Sequence, residues 1–220
     1  MCIHVIFVFS LKINFMGYTS FDIPIVESIL HWHNIKFVVD FGAQNNFSQP
    51  YLPAPYMREW YEAKGIRYQA IDLNAEDGCM VLDMSEPNHD KLDSLNADLL
   101  CDMGSSEHVS DDKISYGTGK FSWDHIYTCW LNKHKILKVG GIMFNENPKT
   151  GNWPGHGFNY YTQDFYRRLA QLAGYRIIML QDHPAMMNIK DGWNVVCVMQ
   201  KTAANFISLE AFKTLDLRQS

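Results

Sequence analysis

From residue 22 onward, short apolar runs alternate with stretches of helical spacing. The alternation breaks only at the end, where two apolar runs follow one another with no helix-length pattern between them. That order constrains the fold more than any single motif does. Strands separated by helical crossovers lie parallel, and the sheet they form is covered by helices on both faces. Two strands joined by a loop alone form a hairpin, so the last pair is expected to run antiparallel. The expected architecture is an α/β three-layer sandwich, mostly parallel, that closes in an antiparallel hairpin.

The strands are read at Lys36 to Phe41, Ile66 to Asp72, Cys79 to Asp83, Ala97 to Asp102, Tyr175 to Leu180 and Trp193 to Met199, with Val139 to Asn145 a tight glycine turn leading into a further strand. The first is apolar without alternation, as a strand buried on both faces should be. Helices are read at Ile23 to His33, with Asp22 as N-cap and Pro24 in the first turn, at Tyr56 to Lys64, at Pro87 to Leu95 and at Trp123 to Leu137. In the last of these, Ile126, Trp130 and Leu137 recur at helical spacing. A further helix runs to Ala173, capped by Thr162 and stopped by Gly174. Pro50 to Pro55 reads as a proline-rich loop.

At 220 residues, with 47% hydrophobic and 20% charged, the chain suits one globular domain with a substantial core. Its net charge of −5 provides no overall attraction for nucleic acid or anionic membrane. Lys133, Lys135 and Lys138 form the nearest thing to a basic cluster and read as a solvated helix face. The cysteines are five, without a C-x-x-C or zinc-finger spacing, which points to a reduced, cytoplasmic setting. Ile3 to Phe9 is too short to span a bilayer and lacks the basic start of a secretory signal. Residues 1–15 are either an extra arm packed on the domain or a tail, and the tail is favoured. The domain is then placed at residues 16–202, with 203–220 a short helix or a tail. No internal repeat is present.

The chemistry is expected where the strands end. Val38-Val-Asp-Phe-Gly42 puts an acid and a glycine at the end of the first strand, where a glycine lets backbone approach a ligand closely. Gln44 stands where a second glycine would usually follow, so a dinucleotide G-x-G-x-x-G fingerprint is absent. Asp72 ends the second strand and can accept two ribose hydroxyls, or serve simply as a turn or capping acid. Val81-Leu-Asp-Met84 follows the third. After the fourth comes Asp102-Met-Gly-Ser-Ser-Glu-His-Val109, and after the fifth Asn152-Trp-Pro-Gly-His-Gly-Phe158.

With its elements in this order, the chain resembles the class I S-adenosylmethionine-dependent methyltransferases from about residue 20 to residue 201. The resemblance implies a Rossmann-like, seven-stranded sheet with six parallel strands and a seventh inserted antiparallel. It implies S-adenosylmethionine as cofactor, with Asp40 at its ammonium group, Gly42 and Gln44 at the turn beneath it, Asp72 and Leu73 at the ribose, Asp83 and Met84 at the adenine, and Asp102 at the edge of the site. The Gly-Ser-Ser-Glu-His-Val run paired with a later His-Gly-Phe resembles a particular group of small methyltransferases.

Methyl transfer requires a nucleophile in line with the methyl carbon and, for a hydroxyl, a base to take its proton. His108 and His156 are the candidate bases, because imidazole titrates near neutrality. Glu107 can orient a histidine or anchor a substrate amine, and Trp153, Tyr160 and Tyr161 can wall the pocket. A metal held by Glu107, His108 and His156 is conceivable, as some oxygen methyltransferases use magnesium, but no ligand spacing supports one, so none is expected. The Asp/Asn-Pro-Pro-aromatic run and the Pro-Cys nucleophile of DNA methyltransferases are both missing, so nucleic acid is not expected as a partner. The expected activity is methyl transfer to an oxygen or nitrogen of a small-molecule or sugar-like acceptor. Two alternatives are a methyltransferase-like binding module without catalysis and an NAD-linked oxidoreductase.

Overall fold

The computed structural model describes residues 17–46, 56–87, 89–111, 119–185 and 192–217. The expected tail at 1–15 and the proline-rich loop at Pro50 to Pro55 lie outside them. Seven strands form one sheet: β1 (Phe37–Phe41), β2 (Arg67–Asp72), β3 (Met80–Val81), β4 (Ala97–Met103), β5 (Leu137–Pro148), β6 (Tyr175–Pro184) and β7 (Trp193–Lys201). Their spatial order is β3-β2-β1-β4-β5-β7-β6. The pairs among β1 to β5 are parallel, and β7 runs antiparallel to both β5 and β6. The closing hairpin expected from the sequence is therefore present, with its second strand inserted inside the sheet.

The helices are α1 (Asp22–Trp32), α2 (Met57–Glu62), α3 (His89–Leu92), α4 (Trp123–Ile136), α5 (Gln163–Ala173) and α6 (Leu209–Phe212). Strand side chains alternate between faces, and here both faces are apolar. Val38, Leu99, Phe144 and Val196 pack toward α1 and α2, while Val39, Leu100, Met143 and Val195 pack toward α4 and α5. Each such buried side chain contributes about 1.5–3 kcal/mol.

Local chemistry sets the ends of α5. The Thr162 hydroxyl accepts from the Phe165 amide at 3.0 Å, and Gly174 adopts the left-handed conformation (φ 69°). Asp22 differs from its expected capping role. It is the first helical residue, and its Oδ2 accepts from the Thr19 amide at 2.8 Å and the Thr19 hydroxyl at 2.7 Å. The fifth strand also begins earlier than expected, at Leu137, with Gly140 (φ 87°) bending it rather than preceding it. The chain end forms the short α6, capped by Ser208, and buries Phe212, Leu215 and Leu217 in the core.

Of the three lysines expected on a solvated face, Lys138 is exposed and Lys135 half-buried, but Lys133 is not solvated. Lys133 follows Ile126 and Trp130 on the stripe that faces the sheet, and it is fully buried. Its Nζ donates to Asp102 Oδ2 and to Asn145 Oδ1, both at 2.7 Å, and lies 3.8 Å from the centre of the Trp130 ring. Lys138 pairs instead with Asp98. The buried ammonium ties α4 to the carboxyl ends of β4 and β5, the two strands that carry the histidine side of the site.

Candidate functional site

The expected residues gather along the carboxyl edge of the parallel strands, in two groups. The first surrounds the turn after β1. Gly42 has φ 93°, and a Cβ there would fall 2.5 Å from Ser105 Oγ and 2.9 Å from Gln44 Nε2, so the turn accommodates only glycine. Gln44 folds back beneath it: its Nε2 donates to the Phe41 carbonyl at 2.5 Å and to Ser105 Oγ at 3.2 Å. Those contacts fix the orientation of the amide. Its Oε1 is left buried with no hydrogen-bond partner, a costly state for an acceptor. A short parallel pairing of Gly17–Tyr18 with Asn45–Asn46 carries the chain across this turn.

Asp72 stands beside the same turn. Its Oδ2 accepts from the Ala43 amide at 2.8 Å and its Oδ1 from the Asn74 amide at 3.2 Å, while Leu73 next to it is half exposed. Asp83 accepts from the Ser85 amide at 2.9 Å and the Ser85 hydroxyl at 2.6 Å. Met84 is packed in the core.

Two expected cofactor residues are enclosed by protein instead. Asp40 is fully buried and accepts from the Tyr18 and Tyr68 hydroxyls, each at 2.8 Å. Burial pushes its carboxyl up to about 7, against the opposing effect of those hydrogen bonds. Asp102 is equally buried. Burial alone would raise it, but the Lys133 ammonium and the Ser105 and Ser106 groups outweigh that and hold it below the usual carboxylate range. Neither carboxylate joins the cleft.

The second group follows β4. Ser106 to His108 make one tight helical turn, and Glu107 is 1% exposed. Its Oε1 lies 3.7 Å from His108 Nε2 and 3.6 Å from His156 Nε2, with the two imidazole rings 5.0 Å apart. Its Oε2 has no partner. Burial lowers His108, with Glu107 opposing and His156 reinforcing the shift. These three side chains thus form a potential ligand set, the one conceivable from the sequence although no linear spacing supported it, because His156 arrives from a different loop.

The two motifs that occur together in the sequence are stitched together in space. The Glu107 carbonyl accepts from the Phe158 amide at 2.7 Å and the Asn159 amide at 3.1 Å. The Asn159 amide group donates to the carbonyls of Val109 and Ser106 at 2.7 and 3.2 Å. A Cβ on Gly157 would sit 2.8 Å from the Glu107 carbonyl oxygen. Tyr160 and Tyr161 do not wall the cleft as expected. The Tyr160 hydroxyl accepts from the His156 and Gly157 amides at 3.0 Å each and donates to the Trp153 carbonyl at 2.5 Å, while that of Tyr161 meets Ser106 Oγ at 2.7 Å. Both are buried braces. Trp153 does line the cleft, with Thr19, Gly104, Glu107, Glu146 and His156.

Glu146, at the end of β5, was not anticipated. Burial and the neighbouring Asp22 carboxyl push it well above the usual range, and Asn194 donates to its Oε1 at 2.7 Å. The run Asn145-Glu-Asn147, polar inside an otherwise apolar strand, is the sequence signal that marks it.

No family model and no curated protein sequence matches the chain. Solved structures do. The 1,6-didemethyltoxoflavin-N1-methyltransferase of Burkholderia thailandensis, with bound 1,6-didemethyltoxoflavin and S-adenosylhomocysteine, is 17% identical, with 80% of this chain and 76% of that one aligned at a TM-score of 0.52. The N-methyltransferase NodS of Bradyrhizobium japonicum, in complex with S-adenosylhomocysteine, gives 11%, 82%, 85% and 0.54. The geranyl diphosphate C-methyltransferase of Streptomyces coelicolor, in complex with magnesium, geranyl diphosphate and S-adenosylhomocysteine, gives 10%, 82%, 81% and 0.52. The chain has the fold of these enzymes, whose acceptor atoms differ. Among the described residues no helix is long and apolar enough to cross a membrane.

Proposed function

We propose that the chain binds S-adenosylmethionine across the turn after β1 and transfers its methyl group to an oxygen or nitrogen of a small, sugar-like acceptor. The observation that carries this reading is the orphaned Gln44 Oε1, a buried acceptor beside the Gly42 turn. An ammonium group is the donor such an atom lacks. The role first expected of Asp40 passes to Gln44, since two tyrosine hydroxyls already occupy the aspartate.

Asp72 takes the ribose hydroxyls and Asp83 the adenine amino group. The bound donor supplies a methyl carbon activated by its sulfonium. The chain's own task is to align an acceptor at the Glu107 side of the cleft, exclude water with Trp153, and accept a proton at His156 or His108. With burial holding it low, a neutral His108 is a competent acceptor near pH 7.

The alternative of a binding module without catalysis has one observation in its favour: the Gln44 side chain fills space that a second glycine would leave open. The NAD-linked reading has less support, because the same side chain crowds the phosphate-binding turn. Calorimetry with S-adenosylmethionine, S-adenosylhomocysteine and NAD separates them. Either sulfur compound should bind and NAD should not. Asp72→Ala should weaken that binding by about 1.5–3 kcal/mol, the range for hydrogen bonds to a charged group. Tight NAD binding, or no sulfur-cofactor binding by the wild-type chain, overturns the proposal.

A further inference from the structure

We infer that Glu107, His108 and His156 form a binding site for one first-row transition-metal dication, with zinc the best match. The Glu107 carboxylate is the reason. It is 1% exposed, its Oε2 has no hydrogen-bond partner, and its Oε1 stands 3.6 and 3.7 Å from two imidazole nitrogens. Those separations are too long for hydrogen bonds. A buried carboxylate so poorly compensated is expensive to maintain.

The same separations suit a shared ion. Two ligands each about 2.1 Å from a metal and set roughly tetrahedrally stand about 3.4 Å apart. All three ligand atoms lie within 4.8 Å of one another, so a modest rotation of the imidazoles toward each other closes the set. Two imidazoles and one carboxylate are a borderline donor set, which favours zinc and its neighbours over magnesium or calcium.

The surroundings hold the carboxylate in place. Gly157 leaves no room for a Cβ against Glu107, and a Cβ on Gly104 (φ 77°) would lie 3.2 Å from Glu107 Oε1. The histidines sit at the rim, their side chains 18% and 29% exposed, so the open coordination position faces the cleft shared with Trp153 and Glu146. An acceptor hydroxyl bound there would lose its proton near neutral pH, as metal-bound water does. Only this last role rests on the proposed methyl transfer, and it selects oxygen over nitrogen as the acceptor atom.

The test is titration calorimetry of chelator-treated chain with zinc chloride, followed by S-adenosylhomocysteine in a separate titration of the metal-free chain. One zinc per chain should bind. His156→Ala and Glu107→Gln should each weaken binding by more than about 10-fold, whereas Asp72→Ala should leave it unchanged. Unfolding curves for each variant guard against misfolding, and His108→Gln offers a third, milder probe at the rim. Absence of zinc binding, or binding undiminished in the folded variants, overturns the site. Binding lost instead in a His31→Asn, His33→Asn double variant, which removes the exposed imidazole of α1 and the half-buried one at its end, also overturns it. Zinc binding without S-adenosylhomocysteine binding upholds the site and removes the methyl-transfer reading; the reverse removes the site alone.

Discussion

The two halves of the carboxyl edge treat their acids differently. Around β1 and β2, Asp40 and Asp72 accept from neutral donors, namely tyrosine hydroxyls and backbone amides. Around β4 and β5, Asp102 faces the ammonium of Lys133 and Glu107 faces two imidazoles. Asp40 and Asp72, with no cation at either, suit a positively charged ligand, which S-adenosylmethionine is; the Arg58 guanidinium nearby pairs with Asp77 instead. Asp102 and Glu107, grouped with bases, suit proton transfer or an ion, whereas Glu146 in the same half meets the Asp22 carboxyl and the Asn194 amide. On the proposed reading, methyl donor and acceptor lie on opposite sides of Ser105, which follows β4 and whose hydroxyl reaches across to the Phe41 carbonyl and the Gln44 amide at the end of β1.

The largest expected effect comes from removing the cation on the charged side. Lys133→Met leaves Asp102 buried and unpaired, and should destabilise the chain by about 3–5 kcal/mol in urea unfolding. A loss under about 1 kcal/mol would mean that the amides of Ser105 and Ser106 satisfy Asp102 alone, and the contrast would fail.

On the neutral side, Asp40→Asn should alter pH dependence more than stability at one pH. The folded value near 7 lies above the unfolded value of 3.8, so the folded chain keeps a proton that the unfolded chain releases. Asp40 therefore contributes stability that is fully present below pH 3.8 and is lost as pH rises to 7. Across that window the stability difference between wild type and variant should shrink by about 1.4 kcal/mol per pH unit. Parallel denaturation series at several pH values measure it, and parallel curves would show that the tyrosines keep Asp40 ionised.

The smallest effect sharpens the donor half. Gln44→Gly restores the second glycine and deletes the orphaned oxygen. S-adenosylhomocysteine should then bind about 1.5–3 kcal/mol more weakly, the worth of one hydrogen bond to a charged group. Tighter binding by calorimetry would identify Gln44 as an obstruction.

The succession of strands and helices along the chain was legible in the sequence because hydrophobic periodicity and the missing last helix are local signals. Thr162 and Gly174 were legible as the ends of α5 for the same reason. Gly42 was recognisable, since only a glycine suits its turn. Lys133 was not: it sits within a basic run, and the partner that buries it, Asp102, belongs to another element, although its helical phase with Ile126 and Trp130 pointed inward. The enclosure of Asp40 depends on Tyr18, which precedes α1, and on Tyr68 in β2. The meeting of Glu107 with His156 depends on how two loops lie, which no spacing encodes.

That meeting has an evolutionary corollary. With Gly157 pressed on the Glu107 backbone and Asn159 clasping the carbonyls on either side, the two segments behave under substitution as one unit. A bulkier residue at 157 is tolerable only if the turn bearing Glu107 retreats, and a retreat takes the carboxylate away from both imidazoles. Lineages that abandon one segment should therefore abandon the other, and relatives that retain Glu107-His108 should retain the later glycine even where the surrounding loop has drifted.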